Sequence, residues 1–161
     1  HSFRHASGLD SNRVDHETIG KLLGFPDCCT SFFNDTWPSF IDPMWQIAKN
    51  SEHEELGERV IKVTPHISTH QMLRYAGFRI TSHFPCSLEC EDTIEFGKKW
   101  LEVMRKRAPS ETEALLKIMT LPGKWPCKYG IAIVETEPFT IVTNSVPTKD
   151  TWEIVWDEVR M

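Results

Sequence analysis

The chain has 161 residues, a net charge of −5, 40% apolar and 25% charged residues. That is the balance of one ordinary globular domain with enough apolar residues for a core, not of a disordered tail. The charge gives no electrostatic support for nucleic-acid binding, and no apolar run approaches the roughly 18 residues that span a bilayer. Five cysteines without a recognisable secretory signal do not make a complete disulfide framework, so the expected setting is a reducing cytoplasm.

In chain order, residues 1–14 are polar and unpatterned and read as a flexible N-terminal arm, leaving 15–161 as a single cysteine-motif metal-binding domain. Asp15 is a plausible N-cap for a helix from His16 to Leu23, with Ile19, Leu22 and Leu23 as its buried face and Gly24 as its stop. Pro26 suits the first turn of a second helix carrying Cys28, Cys29, Phe32 and Phe33. Asp42-Pro43 opens a segment with Met44, Trp45 and Ile47 turned inward. Glu52 to Val63 reads as a charged amphipathic helix striped by Leu56, Val60 and Ile61. Thr64-Pro65 reads as the start of another, running to Ala76 before Gly77 and placing His66 and His70 on one face.

The longest predicted helix opens near Pro85 and runs from Cys86 to about Arg107, with acids near its start and bases near its end. That arrangement complements the helix dipole and makes the basic run a solvated helix end. Ser110 reads as the cap of a helix from Glu111 to about Met119, broken by Leu121-Pro122-Gly123. Tyr129 to Glu135 and Phe139 to Thr143 alternate like paired strands, and Trp152 to Trp156 reads as a third strand or a short helix. The expected fold class is α+β, a mainly helical single domain with a small C-terminal antiparallel β-sheet.

The chemistry concentrates in Cys28, Cys29, Cys86 and Cys90. Each group is expected at a helix start, where the dipole favours thiolate, and Cys86 and Cys90 are spaced to share a helix face. Aromatic-proline pairs stand before the cysteines: Phe25-Pro26, Phe84-Pro85 and Trp125-Pro126. A lone cysteine is most simply a small buried hydrophobe, but four in two matched motifs point to a soft metal site. The C-x3-C spacing fits a zinc knuckle loosely and adjacent cysteines suit a single small ion poorly, so the preferred cofactor is an iron–sulfur cluster of the 4Fe–4S type.

Two alternatives remain. One is a zinc-stabilised structural or binding module within a larger assembly. The other is a metal-free cysteine-nucleophile enzyme, with Cys86 activated by His83. His83, three residues before Cys86, is the candidate catalytic residue: a fourth ligand, or a proton donor beside an iron left open to a small ligand when only one of Cys28 and Cys29 ligates. His66, His70 and Cys127 rank behind the four cysteines as ligands. An iron–sulfur protein of this kind would work on a small-molecule substrate in sulfur or redox chemistry, or pass electrons to a protein redox partner. Neither a nucleic acid nor a membrane is indicated, and no phosphate-cradling glycine loop is present.

The stretch Leu23-Gly24-Phe25-Pro26-Asp27-Cys28-Cys29 with Phe32-Phe33, then His83-Phe84-Pro85-Cys86 with Cys90, then Gly130-Ile131-Ala132, resembles an uncharacterised prokaryotic family, a domain of unknown function. The resemblance covers roughly residues 16–145. It implies one intact domain with a linked cysteine site and no established activity, and Cys127 is not part of its pattern.

Overall fold

The computed structural model describes residues 16–39, 42–128, 130–143 and 151–161. Asp15, Tyr129 and the predicted arm 1–14 lie outside the described residues. The fold is α+β, with five α-helices and one six-stranded mixed sheet among the described residues.

Helix α1 (His16–Leu22) ends where Gly24 takes a left-handed φ of +70°, which turns the chain into Phe25-Pro26. Its predicted apolar face is not buried, because Leu22 and Leu23 face solvent and Ile19 is 44% exposed. Gly20 is the contact instead, packed so tightly on Thr30 that an added Cβ would lie 2.7 Å from the Thr30 hydroxyl. Helix α2 (Asp27–Thr36) follows with Pro26 at its N-cap. Helix α3 (Pro43–Lys49) is capped by Asp42, whose carboxylate accepts the Met44 N–H at 2.7 Å. Met44 and Ile47 point inward, and Trp45 stacks on Trp152.

The helix predicted over Glu52–Val63 is a hairpin of β1 (His53–Gly57) and β2 (Val60–Val63). Val60, Ile61 and Val63 are β-branched, and burial alternates, with Ile61 and Val63 inside. Leu56, part of the supposed helical stripe, faces solvent. The second predicted helix, Thr64 to Ala76, is also absent. The chain there folds into successive turns, with a single 3-10 turn at Arg74–Ala76 before Gly77, whose φ of +87° ends it. Polar side chains compete for its backbone. Thr69 Oγ1 donates to the Leu88 carbonyl at 2.7 Å, and Thr81 Oγ1 donates to the Ser68 carbonyl at 3.0 Å. Gln71 Nε2 donates to Thr81 Oγ1 at 2.9 Å. All of these side chains are buried, and the bond to the Ser68 carbonyl takes up a backbone acceptor that a helix would have used, while the others tie the turns to neighbouring segments.

Helix α4 (Glu91–Arg107) begins five residues later than predicted, with Cys90 as N-cap, so Cys86 and Cys90 do not share a helix face. Gly97 lets α4 lie against the turn segment, since a Cβ there would collide with Ser68. The basic end of α4 is a solvated face, as expected: Lys106 pairs with Glu102 on the same helix. Helix α5 (Pro109–Met119) starts one residue ahead of the predicted Ser110 cap, with Ala108 at its N-cap.

Strands β3 (Gly123–Lys128), β4 (Ile131–Thr136), β5 (Phe139–Thr143) and β6 (Trp152–Trp156) complete the sheet, in the order β1-β2-β6-β3-β4-β5. The β2–β6 pair is parallel and the others antiparallel. The predicted small C-terminal antiparallel sheet is therefore larger, is mixed, and is not confined to the C-terminus, because two of its six strands come from the middle of the chain and one of these pairs in parallel with β6. Strand β3 was hidden by Pro126, which has no N–H to pair; the β3–β4 ladder pairs residues on either side of Trp125 and Pro126 but not at those two. Trp125, Ile154, Trp156, Ala132 and Val134 join Met44, Ile47, Ile67, Met72, Leu73, Leu88, Leu116 and Met119 in one buried core.

Candidate metal centre

Four sulfurs converge where the starts of α2 and α4 meet. Cys28 and Cys29 lie in the first turn of α2, Cys90 caps α4, and Cys86 sits in the loop ahead of it. Both helices direct their positive dipole ends toward the sulfurs, which favours thiolate there. The Asn50 side chain fixes the loop by donating to the Cys86 carbonyl at 2.7 Å, and Ser51 Oγ accepts the Leu88 N–H at 2.8 Å.

The Sγ atoms of Cys28, Cys29, Cys86 and Cys90 all lie within 4.8 Å of one another. Cys28 and Cys29 are 3.8 Å apart, Cys28 and Cys90 3.7 Å, and Cys29 and Cys90 3.6 Å. Adjacency in sequence thus does not keep Cys28 and Cys29 from facing one point. Cys29 and Cys90 are buried, Cys86 is half-buried and Cys28 is exposed. No other group of three or more metal-binding side chains occurs among the described residues.

The cysteines do not ionise independently. Cys90 is pulled below the ordinary thiol range, first by the Cys29 thiol beside it and then by Thr93 in the first turn of α4. Cys29 is pushed upward, chiefly by holding its proton toward Cys90 and by burial. Burial and the neighbouring Cys90 push Cys28 and Cys86 in the same direction. Cys90 is thus the sulfur most disposed to ionise, and the other three are held toward their protonated form. A soft cation would take the place of the remaining protons.

His83 is not a fifth member of this group. Its Nε2 lies 2.9 Å from Thr93 Oγ1, and that oxygen lies 3.2 Å from Cys29 Sγ. The Thr93 hydroxyl has one proton. When Cys29 is a thiolate the proton goes to sulfur, and His83 must then donate its Nε2–H to the hydroxyl oxygen. His83 packs on Phe25 and against the edge of Phe96, and burial lowers its pKa to about 4, so it is neutral at pH 7. Sequence reasoning named His83 but missed Thr93. The signal was Cys90-x-x-Thr93: an N-cap and the third helical position lie on the same side of the first turn.

The other candidates stand apart. His70 lies in the core against Trp156, not on a helix face with His66, and burial lowers its pKa to about 3. His66 is half-buried, and its Nδ1 accepts the Ser68 N–H. Cys127 is fully buried in β3, outside the quartet. Of the acids near Cys90, Glu89 pairs with Arg160, and Asp92 accepts from the Cys28 thiol at 3.6 Å.

An uncharacterized protein of Methanocaldococcus jannaschii is 31% identical over 85 residues, which are 53% of this chain and 39% of that relative. The chain therefore spans well under half the length of the curated relative it matches. No solved structure matches. The model of a family described as proteins of unknown function, DUF483, matches residues 6–118. That span takes in all four clustered cysteines, His83 and Thr93, and stops before β3 and Cys127. The chain belongs to this family of proteins of unknown function.

Proposed function

We propose that Cys28, Cys29, Cys86 and Cys90 hold one tetrahedral zinc ion, and that the protein is a zinc-stabilised binding module. The sulfur spacing carries this reading. A Zn–S bond of about 2.3 Å in a regular tetrahedron puts neighbouring sulfurs about 3.8 Å apart. The separations of 3.6, 3.7 and 3.8 Å among Cys28, Cys29 and Cys90 match that edge. A four-iron cubane places each thiolate on its own corner iron, so its cysteine sulfurs stand wider than those around one ion. The donor chemistry alone suits iron–sulfur ligation equally well, and the spacing weighs for the single ion. Four thiolates close the coordination shell, which suits a structural ion tying two helix starts together.

The test is metal analysis of protein expressed with both metals supplied and purified without oxygen. One zinc per chain in a colourless protein is the expected result, with cobalt substitution giving the visible bands of a tetrahedral thiolate site. A brown protein with iron and acid-labile sulfide would replace the zinc by the cluster. Protein free of any metal would leave the cysteine-nucleophile enzyme.

A further inference from the structure

Beside the quartet lies a cavity of about 210 Å³, lined by Cys29, Arg74, His83, Phe25, Phe33 and Phe84. That is below the roughly 300–1,000 Å³ of pockets for drug-sized ligands, so an occupant would be small. Its walls are mostly apolar, with three phenyl rings among them, and no carboxylate stands among the described residues of its lining. In a chain of net charge −5 that is a local reversal of sign.

Arg74 supplies the charge. Its guanidinium lies 3.7 Å from the centre of the Phe84 ring. Its two hydrogen bonds go to neutral oxygens and are long: 3.3 Å to Gln71 Oε1 and 3.4 Å to the Ser82 carbonyl. No carboxylate among the described residues comes within ion-pair distance of it; the buried Asp42 carboxylate attracts it only from farther away, and Arg79 opposes that attraction. A guanidinium has five N–H donors in a planar fork that matches a carboxylate. Held by the ring at one face, that fork is fixed in orientation at the cavity wall.

We infer that this cavity binds a small planar monocarboxylate, with its carboxylate on Arg74 and its apolar body against Phe25, Phe33 and Phe84. Arg74 is the one guanidinium among the described residues of the lining, whose other basic side chains are the imidazoles of His16 and His83, and one guanidinium balances one negative charge. A phosphate dianion would leave a second charge against apolar walls, which is costly. The inference goes beyond the metal centre and stands for any metal the cysteines hold.

The test uses metal-loaded protein titrated with benzoate, followed by calorimetry and by NMR shifts of the cavity residues. Benzoate should bind saturably, and neutral benzamide roughly tenfold or more weaker, because it lacks the charge-assisted bond. R74Q should lose that preference while keeping its metal. Equal binding of benzoate and benzamide would overturn the inference, as would phosphate competing as well as benzoate. Loss of metal from R74Q with benzoate binding intact would make Arg74 a countercharge to the metal centre and overturn it too. Should R74Q fail to fold, Ser82 gives an independent route, since it is exposed and its carbonyl already accepts from Arg74. S82E should abolish benzoate binding by placing a carboxylate beside Arg74, while S82Q should retain it. Undiminished binding in a folded S82E protein would refute the assignment.

Discussion

In β3, every residue from Gly123 to Cys127 faces a partner on β6, from Trp156 back to Trp152. Behind that ladder Trp125, Ile154 and Trp156 fill the core, and the Trp156 indole N–H donates to the Leu121 carbonyl at 2.8 Å. Between Thr64 and Cys90 there is no such ladder. The chain holds its turns by single bonds from Thr69, Gln71, Thr81, Asn50 and Ser51, and ends at two of the four clustered cysteines. The sheet is stabilised by burial and repeated backbone pairing, which need no ligand. The turn segment sends Ile67, Met72, Leu73 and Leu88 into the same core, but in place of a ladder it relies on particular side chains and, on the zinc reading, on a metal. The difference teaches where loss of a metal should be felt.

The largest effect should follow from removing the ion. Chelation, or C90A, should strip the metal and cost several kcal/mol, because the ion's binding free energy is part of folding. Hydrogen exchange should accelerate over 64–90 and the start of α2, while β3 and β6 keep their protection. C127A should retain the metal, since Cys127 lies in β3. Simultaneous loss of protection in the sheet would show that both regions unfold as one unit and would remove the contrast.

The converse perturbation is W156A. Emptying a fully buried indole position costs roughly 3–5 kcal/mol in comparable cores. The expected outcome is a lower urea midpoint with zinc affinity unchanged, the affinity read by competition with a chromophoric chelator. A parallel fall in affinity would mean that the sheet positions the cysteines.

The sheet region shows what can and cannot be read from such a chain. The strand at Phe139–Thr143 was legible because it is built of β-branched and aromatic residues, whereas Trp152–Trp156 was open between strand and short helix until its pairing decided it. Strand β3 was not legible, since Pro126 argues against a central strand and is accommodated by a break in the ladder to β4. At the other end the four cysteines were legible as residues before their backbone was. Cys86 and Cys90 were expected one helical turn apart, yet meet because α4 starts at Glu91 and the preceding loop folds back. Glu52–Val63 has helical spacing in part, and its parallel pairing with β6 overrides it. Local pattern carries no information about a distant partner.

Helix α3 joins the two regions, with Met44 and Ile47 in the core and Asn50 and Ser51 just beyond its end, bonded to the cysteine loop. Its cap, Asp42, is buried with Oδ2 unpartnered among the described residues, and burial raises its pKa to about 6. For a carboxyl raised above its unfolded value the folded state binds the proton more tightly. Stability from this group is therefore present at low pH and is lost as pH rises from about 4 through about 6. At pH 7 the buried charge should cost about 2–3 kcal/mol. D42N keeps an acceptor for the Met44 N–H and removes the charge. It should be more stable than wild type at pH 7, and the advantage should shrink toward pH 5 in paired urea titrations. A pH-independent difference would assign the effect to packing instead.

The smallest expected effect is the most specific to the cysteine end. Thr93 is buried, and its hydroxyl stands between His83 Nε2 and Cys29 Sγ, so T93V removes the bond to sulfur at little change in shape. Groups that hydrogen-bond metal ligands typically contribute about 10–100-fold to metal affinity. T93V should weaken zinc binding within that range and T93S should restore it, both measured by chelator competition. H83A should weaken it less, because His83 reaches the sulfur only through the hydroxyl. The double variant is decisive: if His83 acts through Thr93, adding H83A to T93V should change the affinity no further. An additional loss in the double variant would show that His83 acts on the metal centre by a route of its own. An unchanged affinity in T93V would show that the hydroxyl serves packing alone.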